Sequence, residues 1–215
     1  MTTTKIALLG VLHSWHNEVK VFSLEHLNTA IHRLKPDIIC VELMPSEIKS
    51  DFSQPYKIEY SVILPYGFNH SIKIEGLDPE EPLYTRMVQD YQRNQKRLFE
   101  ASLPEAQVLK TYQKQLFDYL INEHWESLEM TQSRLTHELF RLKHRFQDEL
   151  MGQPEKDGWE TFNSYYTNRI SEIALRNPGL RVLVTIGLEH IYWLQDELEK
   201  NAAFEILVVE DLLKY

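Results

Sequence analysis

Two short apolar runs, one near each end of the chain, are each followed by the pattern Gly-x-x-His. The first run leads through Gly10 to His13, and the second, Val182–Ile186, leads through Gly187 to His190. A short, continuous apolar run is typical of a strand that is buried on both faces, as in a parallel sheet. Glycine after such a strand lets the chain turn sharply and approach a ligand closely. The repeated pattern predicts two buried strands that each deliver a histidine at the carboxyl end.

Three further strands are predicted at residues 38–42, 71–77 and 206–209 from their apolar or alternating patterns. Residues 17–34 carry apolar positions at steps of three and four and predict an amphipathic helix. Residues 56–69 predict another helix, although part of that segment also suits a strand. The alternation of strands and helices predicts an α/β fold with a mainly parallel (mixed) central sheet flanked by helices.

A long segment without predicted strands, residues 81–153, separates the third predicted strand from the fourth. It is rich in Glu, Gln, Lys and Arg and carries helical apolar spacing, including Leu135, Leu139, Leu142, Phe146 and Leu150. We expect a single α/β domain over 1–215, with 81–153 as a helical insertion that forms a hairpin or lid. The insertion also suits a homo-oligomer surface or a plain packing layer. A capping box at Asp157–Glu160 predicts the start of the next helix.

Composition and charge narrow the classes of function. A chain of 215 residues is long enough for one sizeable core, and its formal charge of −9 argues against binding to nucleic acid. It has no run of eighteen apolar residues and no signal-peptide pattern, so we expect a soluble, cytoplasmic protein with no membrane partner. The single cysteine, Cys40, lies in a predicted strand and is expected to be a buried, inert thiol.

Four residues that can carry chemistry follow predicted strands: His13, Glu42, Asp78 and His190. Because the carboxyl ends of parallel strands form one edge of a sheet, we expect these side chains to converge there. Two imidazoles and two carboxylates suit either a divalent metal or metal-free acid–base chemistry. Glu42 and Asp78 also suit turn, capping or salt-bridge roles. Arg169, on the apolar face of a late helix, suits either the site or a structural pairing with a carboxylate.

The remaining histidines are not predicted to belong to the site. His16 lies on the same predicted loop as His13, and we expect it to support that loop or to lie at the surface. The others occur in helical or turn contexts and are expected to be solvated or packing residues: His26, His32, His70, His124, His137 and His144.

A set of short motifs carries a family resemblance over nearly the whole chain. Gly10-x-x-His13, Pro36-Asp37 before Val41-Glu42-Leu43, Asp78, Arg169 and Gly187-x-x-His190 resemble the TraB/PrgY/TIKI family. That family belongs to a superfamily with the erythromycin-esterase and ChaN-like proteins. The resemblance implies a mixed α/β fold in which both histidine motifs and the glutamate line one pocket. It also implies, by analogy, divalent-metal-dependent proteolysis as in TIKI members, lactone hydrolysis as in the esterases, or haem binding as in ChaN-like members. Asn168 stands where the family often has an acidic residue.

We therefore expect a hydrolase that cleaves an ester or amide bond in a small-molecule or peptide substrate. Water would be activated either by a divalent metal (Mn, Co or Zn), with His13, Glu42, His190 and Asp78 as candidate ligands, or by a histidine that Glu42 orients. Arg169 would stabilise a developing oxyanion or bind a substrate carboxylate. The alternative is a non-catalytic or regulatory module that binds haem or a small anion in the same pocket. A third reading is a pocket that is retained only for folding.

Overall fold

A central sheet organises the fold of the residues that the computed structural model describes, namely 2–48, 57–100 and 103–214. Within them five strands pair, every neighbouring pair in parallel, in the order β3-β2-β4-β1-β5. The strands are β1 (Thr4–Val11), β2 (Ile38–Val41), β3 (Lys73–Gly76), β4 (Arg181–Gly187) and β5 (Phe204–Leu207). The predicted α/β class is confirmed, and the sheet is parallel throughout rather than mixed.

The two strands of the Gly-x-x-His motifs are neighbours in the middle of the sheet. Nearly all their side chains are buried, which explains their continuous apolar sequences. Val11 pairs with Gly187, so the two strands end level with each other. Contrary to expectation, Gly10 does not end β1. A Cβ atom on Gly10 would lie 2.9 Å from the Cα of Leu188, so glycine is needed there for close packing of the turn after β4.

Helices cover the sheet: α1 (Leu24–Leu34), α2 (Tyr60–Asn69), α8 (Ile191–Leu198) and α9 (Val209–Leu213). α1 begins later than expected because the Ser23 side chain accepts a hydrogen bond from the His26 N–H and caps the helix there. Residues 13–17 and 20–22 form 3₁₀ turns instead. The segment 56–69 is helical from Tyr60, while residue 56 lies outside the described residues. The last strand starts two residues earlier than predicted and ends at Leu207, because α9 begins at Val209.

The predicted insertion consists of helices that all lie between β3 and β4: α3 (Leu83–Glu100), α4 (Pro104–Tyr119), α5 (Leu128–Thr131) and α6 (Arg134–Met151), followed by α7 (Gln153–Arg176). The predicted helix start at Asp157 is wrong, because α7 already begins at Gln153. Gly152 adopts φ +80° and redirects the chain. Pro154 then fits the first turn of α7, where its missing N–H is not needed. No helix among the described residues is both long and apolar enough to span a membrane.

The face that α6 buries differs from the predicted apolar stripe. Leu135 and Leu142 are 51% and 49% exposed. The buried positions are instead largely polar: Thr136, Phe140, Lys143, His144, Gln147 and Met151. These polar side chains have tertiary partners, for example the half-buried Glu189 carboxylate, which contacts the Lys143 ammonium group. Contacts with other elements, rather than the apolar pattern of α6 itself, therefore determine which face of the helix is buried.

Candidate functional site

Three adjacent strands, β2, β4 and β1, bring the predicted site residues to one edge of the sheet. Glu42 follows β2, His190 follows β4 and His13 follows β1. The Gly187 N–H donates a 2.8 Å hydrogen bond to Oε2 of Glu42. A Cβ atom on Gly187 would lie only 3.0 Å from Nε2 of His13 and 3.4 Å from Cδ2 of His190. The imidazoles and the carboxylate therefore meet around Gly187, and glycine leaves them the room to do so.

The loop after β1 is held by His16. The Leu12 N–H donates to Nε2 of His16 at 3.1 Å, and Nδ1 of His16 lies 2.6 Å from the Phe22 carbonyl oxygen, to which it donates. Burial lowers the pKa of His16, in keeping with a neutral ring that accepts at one nitrogen and donates at the other. His13 follows with a left-handed φ of +51°. His16 thus supports the loop that carries His13, which was one of the two roles expected for it; it does not lie at the surface.

His13 lies between two carboxylates. Its Nδ1 is 2.6 Å from Oε1 of Glu59, which is fully buried, and its Nε2 is 3.6 Å from Oε2 of Glu42. In the tautomer whose Nδ1–H donates a hydrogen bond to Glu59, Nε2 of His13 keeps a lone pair. Glu59 was not predicted as a site residue. The one feature of the sequence that could have indicated it is the position of a carboxylate between the apolar residues Ile58 and Tyr60.

Glu42 is held in its ionised form. Burial alone would raise its pKa, but the Lys57 ammonium group, followed by the two histidines and the Gly187 N–H, lowers the pKa to about 2. The Lys57 Nζ atom is 3.2 Å from Oε2 of Glu42. The Tyr60 hydroxyl donates to the Glu42 carbonyl oxygen at 2.7 Å and fixes the backbone. Lys57 was also missed, because no sequence pattern pairs it with a residue fifteen positions earlier.

His190 is held as a neutral imidazole. Burial lowers its pKa to about 4, although the negative charge of Glu42 opposes the shift. Its Nδ1 lies 2.8 Å from Oδ1 of Asn163, and Nδ2 of Asn163 donates to the Trp159 carbonyl oxygen at 2.8 Å. Because the amide nitrogen is used as a donor, Oδ1 is the acceptor for His190, and Nε2 of His190 keeps its lone pair.

Asp78 and Arg169 lie beside this cluster rather than within it. Asp78 accepts a 2.7 Å hydrogen bond from the Tyr166 hydroxyl. Burial, reinforced by the charge of Glu42, raises the pKa of Asp78 to about 6. The Arg169 guanidinium contacts the Gly76 carbonyl oxygen and the Glu75 carboxylate, both at 3.3 Å. These contacts match the structural pairing with a carboxylate that was the alternative expected for Arg169, whereas the Lys57 ammonium group contacts Glu42.

A partly open cavity of about 210 Å³ adjoins both histidines. Its walls come largely from aromatic side chains of the first loop, the insertion and α7: Trp15, Phe117, Trp125, Phe140 and Trp159. The insertion is tied to the strand edge by Gln132, whose side chain accepts from the Gly10 N–H at 2.8 Å and donates to the Gly10 carbonyl at 3.0 Å. The insertion therefore forms a wall of the candidate site.

The predicted metal ligands fit a metal only in part. Each histidine has an orienting partner at Nδ1, as metal-bound histidines usually do. Among the described residues, however, no three His, Cys, Asp or Glu side chains come together in a way that could hold a metal ion. The Lys57 ammonium already balances the charge of Glu42, and Asp78 is engaged with Tyr166. This arrangement does not assemble the predicted ligand set.

Comparison of the chain with protein-family models, with curated proteins and with solved structures gives no match. The likeness to the TraB/PrgY/TIKI family therefore rests on the short motifs alone.

Proposed function

We propose that this protein is a hydrolase that cleaves an ester or amide bond in a small-molecule or peptide substrate, with His13 as the base that activates water. One observation carries the proposal. The His13 imidazole stands between the carboxylates of Glu59 and Glu42 at the wall of a cavity. A histidine that is oriented by a buried carboxylate and faces a cavity has the arrangement of a general base.

The proton path follows from the two ring nitrogens of His13. Nε2 takes a proton from water as the water attacks the carbonyl carbon, and the resulting imidazolium lies beside the carboxylates of Glu59 and Glu42. These charges stabilise the imidazolium, which then returns the proton to the leaving group. The Glu59 carboxylate contacts Nδ1 of His13, on the opposite side of the ring from the Nε2 atom that takes the proton, and acts through His13 as a positioning residue.

His190 and Lys57 have complementary parts in the proposal. Neutral His190 presents the Nε2 lone pair as a hydrogen-bond acceptor that can orient the attacking water, since its Nδ1 is engaged by Asn163. The Lys57 ammonium supplies positive charge near the developing oxyanion, the part expected of Arg169.

The principal test replaces each histidine and measures hydrolysis of 4-nitrophenyl esters and anilides. We expect His13→Ala to lower kcat by about 10²–10⁴-fold, the usual share of general acid–base catalysis, and His190→Ala to lower it as well. His26→Ala, at an exposed position on α1, is the matched control and should keep wild-type activity. If His13→Ala and His190→Ala retain full turnover and metal content, the proposal is wrong.

A second variant separates positioning from folding. Glu59→Gln preserves an acceptor for Nδ1 of His13 but removes the negative charge. We expect a lower kcat with little change in KM, and an acidic limb of the pH–rate profile that moves to lower pH. A uniform loss of active protein, with an unmoved profile, would instead assign Glu59 a purely structural role.

A divalent metal remains an alternative way to activate water in the same proposal. Elemental analysis of protein purified without chelators, together with melting temperatures in Mn²⁺, Zn²⁺ and Co²⁺, tests it, because a ligand of the native state raises stability. The non-catalytic alternative with haem gains no support from the cavity, whose 210 Å³ lies below the roughly 300–1,000 Å³ of pockets for larger ligands. A Soret band after haem addition would favour that alternative.

A further inference from the structure

Two of the indole rings that line the cavity beside His13 already use their N–H groups in hydrogen bonds. The Trp125 indole N–H donates to the Thr136 hydroxyl at 3.1 Å, and the Trp159 indole N–H donates to the Tyr192 hydroxyl at 3.0 Å. Both indoles therefore offer carbon surface to the cavity rather than free hydrogen-bond donors. Such a surface favours an apolar occupant.

The rings at the cavity are arranged in flat, stacked pairs. Trp159 is stacked between His190, with centroids 4.5 Å apart and planes 16° apart, and His144, at 3.9 Å and 25°, so the edge of its indole is the part left for an occupant. Trp15 is stacked on Phe117 at 5.4 Å and 10°. Aromatic rings contact other rings best in offset-stacked or edge-on arrangements, so walls of this kind favour a flat group over a branched one.

The acidic side chain at the cavity already has its counter-charges. Glu189 lines the cavity, its carboxylate contacts the Lys143 ammonium, and the same oxygen lies 3.1 Å from Nε2 of His144. Burial alone would raise the pKa of Glu189, but Lys143 and His144 hold it well below the usual range. A cationic ligand would have to compete with these partners, which favours an uncharged occupant.

The volume limits the size of that occupant. An apolar cavity of about 150 Å³ in another protein binds benzene, and this cavity measures about 210 Å³. We propose that it binds one flat, uncharged apolar group of the substrate, either a single aromatic ring with a short substituent or two fused rings, adjacent to the bond that His13 cleaves. This assignment of substrate class rests on the proposed hydrolase function. Phe117, at the cavity wall, would determine specificity.

Direct binding tests the occupant independently of hydrolysis. The probes are benzyl alcohol, which has one ring and cannot be hydrolysed, and butane-1,4-diol as a ringless control. Indole ¹⁵N–¹H signals report the site, because Trp15, Trp125 and Trp159 line the cavity, whereas Trp193 is not among its lining residues in the described part of the chain. We expect benzyl alcohol, but not the diol, to shift the signals of Trp125 and Trp159 and to leave Trp193 in place. Signals of Trp125 and Trp159 that stay unmoved at millimolar benzyl alcohol, or shift no more than Trp193, would overturn the inference.

Kinetics test the link to the reaction. In Phe117→Trp the larger ring takes up cavity space, so we expect the ratio of kcat/KM for ethyl phenylacetate over ethyl acetate, neither of which has an aromatic leaving group, to fall at least tenfold. Phe68→Trp, the same change at a 38% exposed position on α2, should keep the wild-type ratio. An unchanged ratio in Phe117→Trp, in an enzyme that hydrolyses both esters, would overturn the assignment. Benzyl alcohol binding in a protein that hydrolyses neither ester would uphold the aromatic cavity and reject the hydrolase.

Discussion

The ion pair between Lys57 and Glu42 gives the sharpest quantitative prediction. The pKa of Glu42 falls from 4.5 to about 2 on folding. At 1.36 kcal/mol per pKa unit, ionised Glu42 contributes about 3 kcal/mol to stability. Because the folded pKa is the lower one, this contribution is complete above pH 4.5 and is lost as the pH falls toward 2. Lys57→Met removes the largest of the interactions that lower the pKa of Glu42, and it leaves the buried Glu42 carboxylate without its paired ammonium group.

We expect Lys57→Met to lower the free energy of unfolding by about 3 kcal/mol at pH 7.5, the low end for a broken buried pair, since the Lys57 side chain is 21% exposed. Urea denaturation measures the change. At pH 4 the gap to wild type should narrow, because Glu42 in the variant can take up a proton. The double variant Lys57→Met/Glu42→Gln should recover most of the loss.

Lys114→Met is the matched control for this series. Lys114 forms an exposed pair with Asp118, and such pairs contribute about 0–1 kcal/mol. A loss in Lys57→Met no larger than that in Lys114→Met, or one that persists in the Glu42→Gln background, would refute the charge-pair reasoning.

Three further predictions concern the surroundings of the site. Asp78→Asn keeps a hydrogen-bond acceptor for Tyr166 but cannot ionise. Because burial raises the pKa of Asp78 from 3.8 to about 6, the free energy of unfolding of the wild type falls as the pH rises through that range. The variant should therefore gain up to about 3 kcal/mol over wild type between pH 4 and pH 7.5 in urea denaturation, and a pH-independent difference would contradict the burial effect. Gly187→Ala places a methyl group 3.0 Å from Nε2 of His13, so we expect displaced ring signals of His13 in NMR spectra and at least a tenfold lower kcat; unmoved signals would contradict the placement. One expected role of the insertion is a homo-oligomer surface. If it joins two copies, Leu142→Glu at its exposed face should shift size-exclusion elution to the monomer, and an unchanged elution volume would contradict that role.

Local sequence determined the framework of the site. The continuous apolar runs predicted β1, β2 and β4 because a strand buried on both faces of a parallel sheet requires them. The parallel arrangement then placed residues that follow those strands at one edge, which is why His13, Glu42 and His190 could be grouped from positions 177 residues apart. Each of these predictions needed only a short window of sequence and a general rule of sheet topology.

Tertiary structure decided the charge pairs of the site and the walls of the cavity beside it. Glu59 and Lys57 act on the site through their distances to His13 and Glu42, and sequence spacing carries no such distances. The aromatic cavity depends on how the insertion packs against the first loop. The polar face of α6 packs inward, where the Lys143 ammonium group contacts the Glu189 carboxylate. Strand patterns are set by burial within one element, whereas charge pairs and cavities are set by which surfaces of different elements come into contact.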